Sequence, residues 1–195
     1  MDLVMLVVLV LIDYYTKYLA VIKLKNQAAF NIIDGVLEFN YLENRGAAFG
    51  MLQNQKIFFV FIAVIFLSVI IFVLLRTPDD RKYRKLHILL TMIAAGAIGN
   101  MIDRLRFDYV VDFIYIVLIN FPIFNVADMY VTFATVILII QVLFVYKDND
   151  FNFLSFNQKK FRERICDVDC LTLCRTYLRR HCDRICFCSV SLFRG

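Results

Sequence analysis

The sequence predicts an all-α membrane protein in which four spanning helices carry a small extracytoplasmic β-hairpin or sheet. Three observations predict it. Hydrophobic residues make up 61% of the 195 and charged residues only 20%, and the charges gather into clusters rather than spreading as on a soluble surface. Four apolar segments, residues 3–22, 57–75, 86–103 and 128–146, each approach the roughly 20 residues that cross a hydrocarbon core about 30 Å thick. Between the first two, the stretch NIIDGVLEFNYL carries an Asp34-Gly35 turn, and Leu37, Phe39 and Tyr41 alternate with Glu38 and Asn40 at the strand period.

The first segment has the length of a signal peptide, but no basic residue precedes its apolar run and Asp13 and Lys17 lie inside it, so it is expected to stay in the chain. At a spacing of four on a helix, Asp13 and Lys17 face each other and read as a structural ion pair. The second segment has only Ser68 as a polar insertion. Its connection to the third holds Arg76, Arg81, Lys82, Arg84 and Lys85, and the segment after the fourth is again basic. Both are expected on the cytoplasmic side, with both termini, which leaves residues 23–56 and 104–127 outside. The third run ends in Asn100, Asp103 and Arg104, with Gly96 and Gly99 allowing another helix to approach closely; the fourth opens at Asp128, three residues after Asn125. The alternating hairpin offers an apolar face that docks acyl chains, shelters a site or packs on the helix ends.

Residues 1–146 read as one membrane domain and 147–195 as a basic cytoplasmic tail of unknown role, expected to be dispensable. Cys166, Cys170, Cys174, Cys182 and Cys186 recur there at multiples of four, with Cys188 beyond. On a helix this makes a drifting thiol stripe able to hold a soft metal, though the spacing is not that of a zinc site. A reducing cytoplasm argues against stable disulfides. The net charge of +5 and pI near 8.9 fit contact with anionic membrane lipids and give no ground for nucleic-acid binding.

Elimination narrows the chemistry on the outer face. Ser68 lies mid-membrane and the other three serines fall in the tail; His87 sits at the cytoplasmic start of the third helix and His181 in the tail; all six cysteines follow residue 165. Serine and thiol nucleophiles and histidine ligands are therefore excluded there. Carboxylates, amides and a few cations remain. Asp103 and Asp128 are expected at one depth, beneath the outer interface, where an unpaired ionisable group is costly. Two carboxylates in a partly desolvated pocket hold one proton between them, the pairing that activates water against an amide carbonyl and protonates the leaving nitrogen. Such a pair titrates as a unit, so neither aspartate takes an individual role. A purely structural alternative stands beside it: both are helix-end residues, Asp128 capping the fourth helix. A third reading is a small transporter or channel subunit with Asp13, Lys17, Asp103 and Asp128 as an ion relay, for which Asp13 and Lys17 are the best support. A soluble aspartic protease is excluded by the lack of all-β patterning. Nothing calls for a metal or an organic cofactor, since a carboxylate pair supplies both acid and base.

Five ordered blocks over residues 1 to about 146 resemble the lipoprotein signal peptidases, a family of bacterial membrane aspartyl proteases. They are D13-Y-Y-T-K17, N44-R-G-A-A-F-G50, G96-A-I-G-N-M-I-D-R104, V111-D-F113 and F124-N-V-A-D128. The resemblance implies that Asp103 and Asp128 are the catalytic pair and that Asn44, Gly46, Asn100, Arg104, Asp112, Asn125 and Ala127 shape the pocket. It also implies a substrate, a prolipoprotein cut on the amino side of a diacylglyceryl-modified cysteine, and a place in the bacterial inner membrane with the site near its outer face. Ala95 stands where the family usually has glycine, and Met129-Tyr130-Val131 replaces a commoner small polar residue and isoleucine, which alters fine pocket shape. The tail matches nothing in the family.

Overall fold

The computed structural model describes residues 2–46 and 55–154. The second half of the N44–G50 block and all six cysteines lie outside the described residues. Four helices in this range are long and apolar enough to span a membrane: α1 (Asp2–Leu24), α2 (Lys56–Arg76), α3 (Arg84–Phe107) and α4 (Val126–Phe144). A three-stranded antiparallel sheet, β1 (Phe30–Ile33), β2 (Leu37–Asn44) and β3 (Val110–Ile116), sits in the two connections on one side of the bundle.

The helix α3 is the centre of the bundle and packs on α1, α2 and α4. Its small residues make that possible. Ala94, Ala95, Gly96 and Gly99 are buried, and a side chain at Gly96 would come within 2.5 Å of the Ala127 carbonyl oxygen and 2.7 Å of Val131 Cγ2. A methyl group at Gly99 would overlap the Asp13 carboxylate. Close helix approach is thus written into these two positions. By contrast α2 is apolar all round and buries only Leu67 and Ile70, as expected of a helix that faces lipid on most sides.

Helix α3 was expected to stop at Asp103 and runs one turn further, to Phe107. Hydropathy marks where the apolar run ends, not where the helix ends, and Arg104-Leu-Arg-Phe107 contains no breaker. Two cations in the last turn also suit the negative end of the helix dipole. The stop is Asp108, which takes the left-handed conformation (φ 65°) and donates its N–H to the Arg104 carbonyl.

The Asp34-Gly35 turn forms as expected, with Gly35 at φ 69°. The third strand forms where the sequence predicts only loop, at V111-D112-F113. In the structure β3 pairs along β2, with Leu42 opposite Asp112 and Asn44 opposite Val110. Its partner lies nearly 70 residues away in sequence, which no local pattern reveals. One face of this sheet closes a small core of Ala20, Val111 and Phe113, against which Phe39 and Tyr41 pack.

A larger core fills the opposite end of the bundle. Residues 148–154, assigned above to the tail, belong to it. They form a 3-10 segment that folds under the α2–α3 connection: Phe153 is buried, the Tyr83 ring meets it edge-on at 5.4 Å and stacks on Tyr146, and the Tyr83 hydroxyl donates to the Asp150 carbonyl at 2.9 Å. Aromatic side chains drive this packing, and charge counting along the sequence passes over it.

Candidate active site

The polar side chains singled out in the sequence converge where the C-terminal end of α3 meets the N-terminus of α4, the C-terminal half of α1 and the β2–β3 pair. They form three layers.

The deepest layer centres on Lys17. Its ammonium lies 2.8 Å from Asp13 Oδ2 and 3.0 Å from Asp103 Oδ2, and donates to Asn100 Oδ1 at 2.9 Å. The other Asp13 oxygen accepts the Ala127 N–H at 2.9 Å, and Asp103 Oδ2 also accepts the Val111 N–H at 3.4 Å. One cation therefore neutralises much of two buried carboxylates and ties α1 to α3, α4 and the edge of β3. A buried ionic group is tolerable when its partners are this complete.

The middle layer consists of amides. Asn125 caps α4: its side-chain oxygen accepts the Asp128 N–H at 3.0 Å while Asp128 Oδ2 accepts the Asn125 N–H at 3.2 Å, a reciprocal capping box. The Asn125 side-chain nitrogen donates to Asp112 Oδ1 at 2.6 Å and to Asn100 Oδ1 at 3.2 Å. Asn100 in turn donates to Asp128 Oδ1 at 2.7 Å. Ala127, completely buried, contributes its backbone rather than a pocket wall.

The outermost layer lines a cavity of about 430 Å³. Asp112 and Asp128 both reach it, with Asn44, Gly46 and Arg104 around them. Asn44 donates to Asp112 Oδ2 at 2.8 Å and accepts the Gly46 N–H at 3.0 Å. Arg104 reaches the Gly46 carbonyl at 3.5 Å and lies over the Phe59 ring at 4.9 Å. The rest of the wall is mostly apolar, including Ile116, Phe121, Met129 and Phe133. Among the described residues no three His, Cys, Asp or Glu side chains gather to hold a metal ion.

The sequence reading set Asp103 opposite Asp128. In the structure Asp103 is turned to Lys17 and the Val111 N–H, and the carboxylate that shares the cavity with Asp128 is Asp112, delivered by the unexpected strand β3. The signal was present in VVDFIYI, a β-branched and aromatic run with one acid at its centre. Burial and, next, the charge of Asp128 raise Asp112 from its ordinary 3.8 to about 7, against the opposing hydrogen bonds from Asn44 and Asn125.

Comparison with known proteins assigns the family. The family model described as "Signal peptidase (SPase) II" matches residues 5–144. The chain belongs to the signal peptidase II family. Among its relatives it is 42% identical to the lipoprotein signal peptidase of Caldanaerobacter subterraneus over 139 residues, 71% of this chain and 92% of the relative. It is 36% identical to that of Clostridium tetani over 146 residues (73% and 92%) and 38% identical to that of Streptococcus pyogenes serotype M5 over 146 residues (75% and 93%). Two solved structures described as a bacterial membrane enzyme by the in meso method, at 2.3 and 1.9 Å, share its fold at 32% identity. Their TM-scores are 0.66 and 0.65, covering 73% and 74% of this chain and 87% and 94% of theirs. Membership makes the chain a multi-pass membrane peptidase of the aspartic class.

Proposed function

We propose that this peptidase removes signal peptides from diacylglyceryl-modified prolipoproteins, cutting on the amino side of the lipidated cysteine, with Asp112 and Asp128 as the pair that activates water. One observation carries the choice of pair: these two carboxylates share one cavity, held by amides, and one of them is poised to keep a proton near neutral pH. Asp103, the expected partner, has an ammonium at 3.0 Å and no place on the cavity wall.

The chemistry follows from one proton shared between two carboxylates. The ionised member takes a proton from water as its oxygen attacks the scissile carbonyl carbon; the protonated member donates to the carbonyl oxygen, which becomes the hydroxyl of a tetrahedral intermediate. Collapse of that intermediate breaks the C–N bond, and a proton passes from the pair to the departing cysteine nitrogen. Asn44, Asn100 and Asn125 hold the two carboxylates, Arg104 and Gly46 border the cavity, and Asp13, Lys17 and Asp103 hold β3 and the start of α4 at fixed distance.

The apolar remainder of the cavity wall suits a substrate that stays in the bilayer. The basic connection between α2 and α3 favours the cytoplasm for the far end of the bundle and the outer face for this site, with both termini cytoplasmic. Membrane lipids are then neighbours of the site as well as its solvent. The relay reading loses its best support, because Asp13 and Lys17 are engaged by each other and by fixed neighbours.

The test is cleavage of a diacylglyceryl-modified prolipoprotein peptide by the purified protein in detergent. The native chain is expected to cut before the lipidated cysteine, and Asp112→Asn and Asp128→Asn are expected to abolish cutting while remaining folded. Substantial cleavage by folded Asp112→Asn overturns the choice of pair; failure of the folded native chain overturns the substrate.

A further inference from the structure

Consecutive residues of a strand point to opposite faces of the sheet. On β3, Asp112 turns to the cavity described above, and its neighbour Phe113 turns to a second, separate groove of about 260 Å³ behind the sheet. Leu19, Ala20 and Leu24 of α1 form one wall of that groove and Phe39 and Phe113 the other. Every side chain within it is apolar apart from Thr16 and Lys23.

Lys23 decides what the groove suits. It is exposed, occupies the last turn of α1 and makes no ion pair among the described residues. The adjacent cation, Lys25, is already engaged by Glu43 at 2.8 Å. The lip therefore offers one uncommitted positive charge at the point where a spanning helix leaves the hydrocarbon, and the floor offers only hydrocarbon contacts. The apolar lining and the charge at its lip together match a lipid lying along α1, one acyl chain inside and an anionic headgroup at the lip.

We propose that this groove binds a single anionic phospholipid of the leaflet on the sheet side, its phosphate at Lys23 and an acyl chain against Leu24, Phe39 and Phe113. Its occupant packs behind the strand that carries Asp112. The site is distinct from the cavity that holds Asp112 and Asp128, and the proposal stands whether or not the assignment of that pair does.

The chain contains no tryptophan, so one introduced indole reports on one place. Phe39→Trp puts it in the groove; Phe66→Trp, on the exposed face of α2, reports on bulk lipid. Both proteins are placed in phosphatidylcholine vesicles containing either dibrominated phosphatidylglycerol or dibrominated phosphatidylcholine, and quenching gives the relative association of each lipid. One uncommitted lysine at the surface implies a preference of about fivefold for phosphatidylglycerol at position 39. That preference is expected to be absent at position 66 and to vanish in Phe39→Trp combined with Lys23→Gln. Equal preference at both positions, no quenching at position 39, or a preference that survives Lys23→Gln overturns the proposal. Should Phe39→Trp fail to fold, Leu24→Trp at the groove's lip serves with the same criteria.

Discussion

Asp103 and Asp112 are nine residues apart, almost equally buried, and both bonded to the polar cluster, yet their neighbourhoods differ in kind. Asp103 has the Lys17 ammonium at 3.0 Å; among the described residues Asp112 has only amide donors, from Asn125 at 2.6 Å and Asn44 at 2.8 Å, and it shares its cavity with a second acid. A cation in contact ties a carboxylate into the architecture. Amides orient a carboxylate without committing it, and burial, with a neighbouring negative charge behind it, then pushes a proton onto it. The comparison teaches that burial alone does not identify a reactive acid. What matters is whether a fixed cation has already been spent on it.

The largest effect should come from breaking the cavity side. In Asp112→Asn or Asp128→Asn, loss of one acid–base partner is expected to lower the cleavage rate by at least about a thousandfold, with a much smaller effect on thermal stability, because asparagine keeps the shape and one of the two accepted hydrogen bonds. Asp103→Asn should invert the pattern, with a measurable loss of stability and a smaller loss of rate. Rate assays and thermal unfolding of the same three purified variants separate the two.

Breaking the Lys17 side acts on the fold. Lys17→Met leaves Asp13 and Asp103 buried without their cation, a situation that costs about 3–5 kcal/mol. Unfolding measurements should detect this as a large fall in melting temperature. Adding Asp103→Asn to Lys17→Met should restore part of it, since one stranded charge is removed. A double variant less stable than Lys17→Met would contradict the assignment of Lys17 as the shared counter-ion.

These contrasts also explain what could be read without a structure. Four spans were legible because hydropathy is a local property; Asn100, Asp103, Arg104, Asn125 and Asp128 were reached by elimination and by spacing on helices, whereas Asn44, Gly46 and Asp112 entered through the family resemblance alone. Gly96 and Gly99 announced close packing because a side chain at either position would collide with the neighbouring helix. That Asp112 shares a cavity with Asp128 was not legible from spacing. Asp103 lies on the same helix face as Asn100 and invites pairing, whereas Asp112 reaches the cavity through a strand whose partner is distant in sequence. The end of α3 differs for a related reason: the apolar run stops at Ile102 while the helix continues to its cap at Asp108. At the other end, Phe151 and Phe153 were grouped with a charged tail although they complete a core. A chain ending after residue 154 is therefore expected to keep native stability, while one ending after residue 146 should lose about 3 kcal/mol, comparable to deleting one buried phenylalanine. Parallel melting curves of the two truncations decide it.

The finest contrast is the response to pH. Asp112 is raised above its ordinary 3.8 to about 7, so its protonated form is the one the fold favours. The stability it contributes is complete below about pH 4 and is lost as the pH rises through 7. Cleavage should follow the same sign, with an alkaline limb centred near pH 7 where the pair loses its shared proton. The Asn44 side chain donates to the ionised Asp112 and so opposes the upward shift. In Asn44→Leu that opposition is gone, and the limb should move to higher pH. The rate at the optimum should also fall, because Asn44 holds the Gly46 N–H as well, but the position of the limb is independent of that loss. A limb that stays in place in Asn44→Leu would mean that the titrating group is not Asp112, and would return the choice between Asp103 and Asp112 to the rate assays.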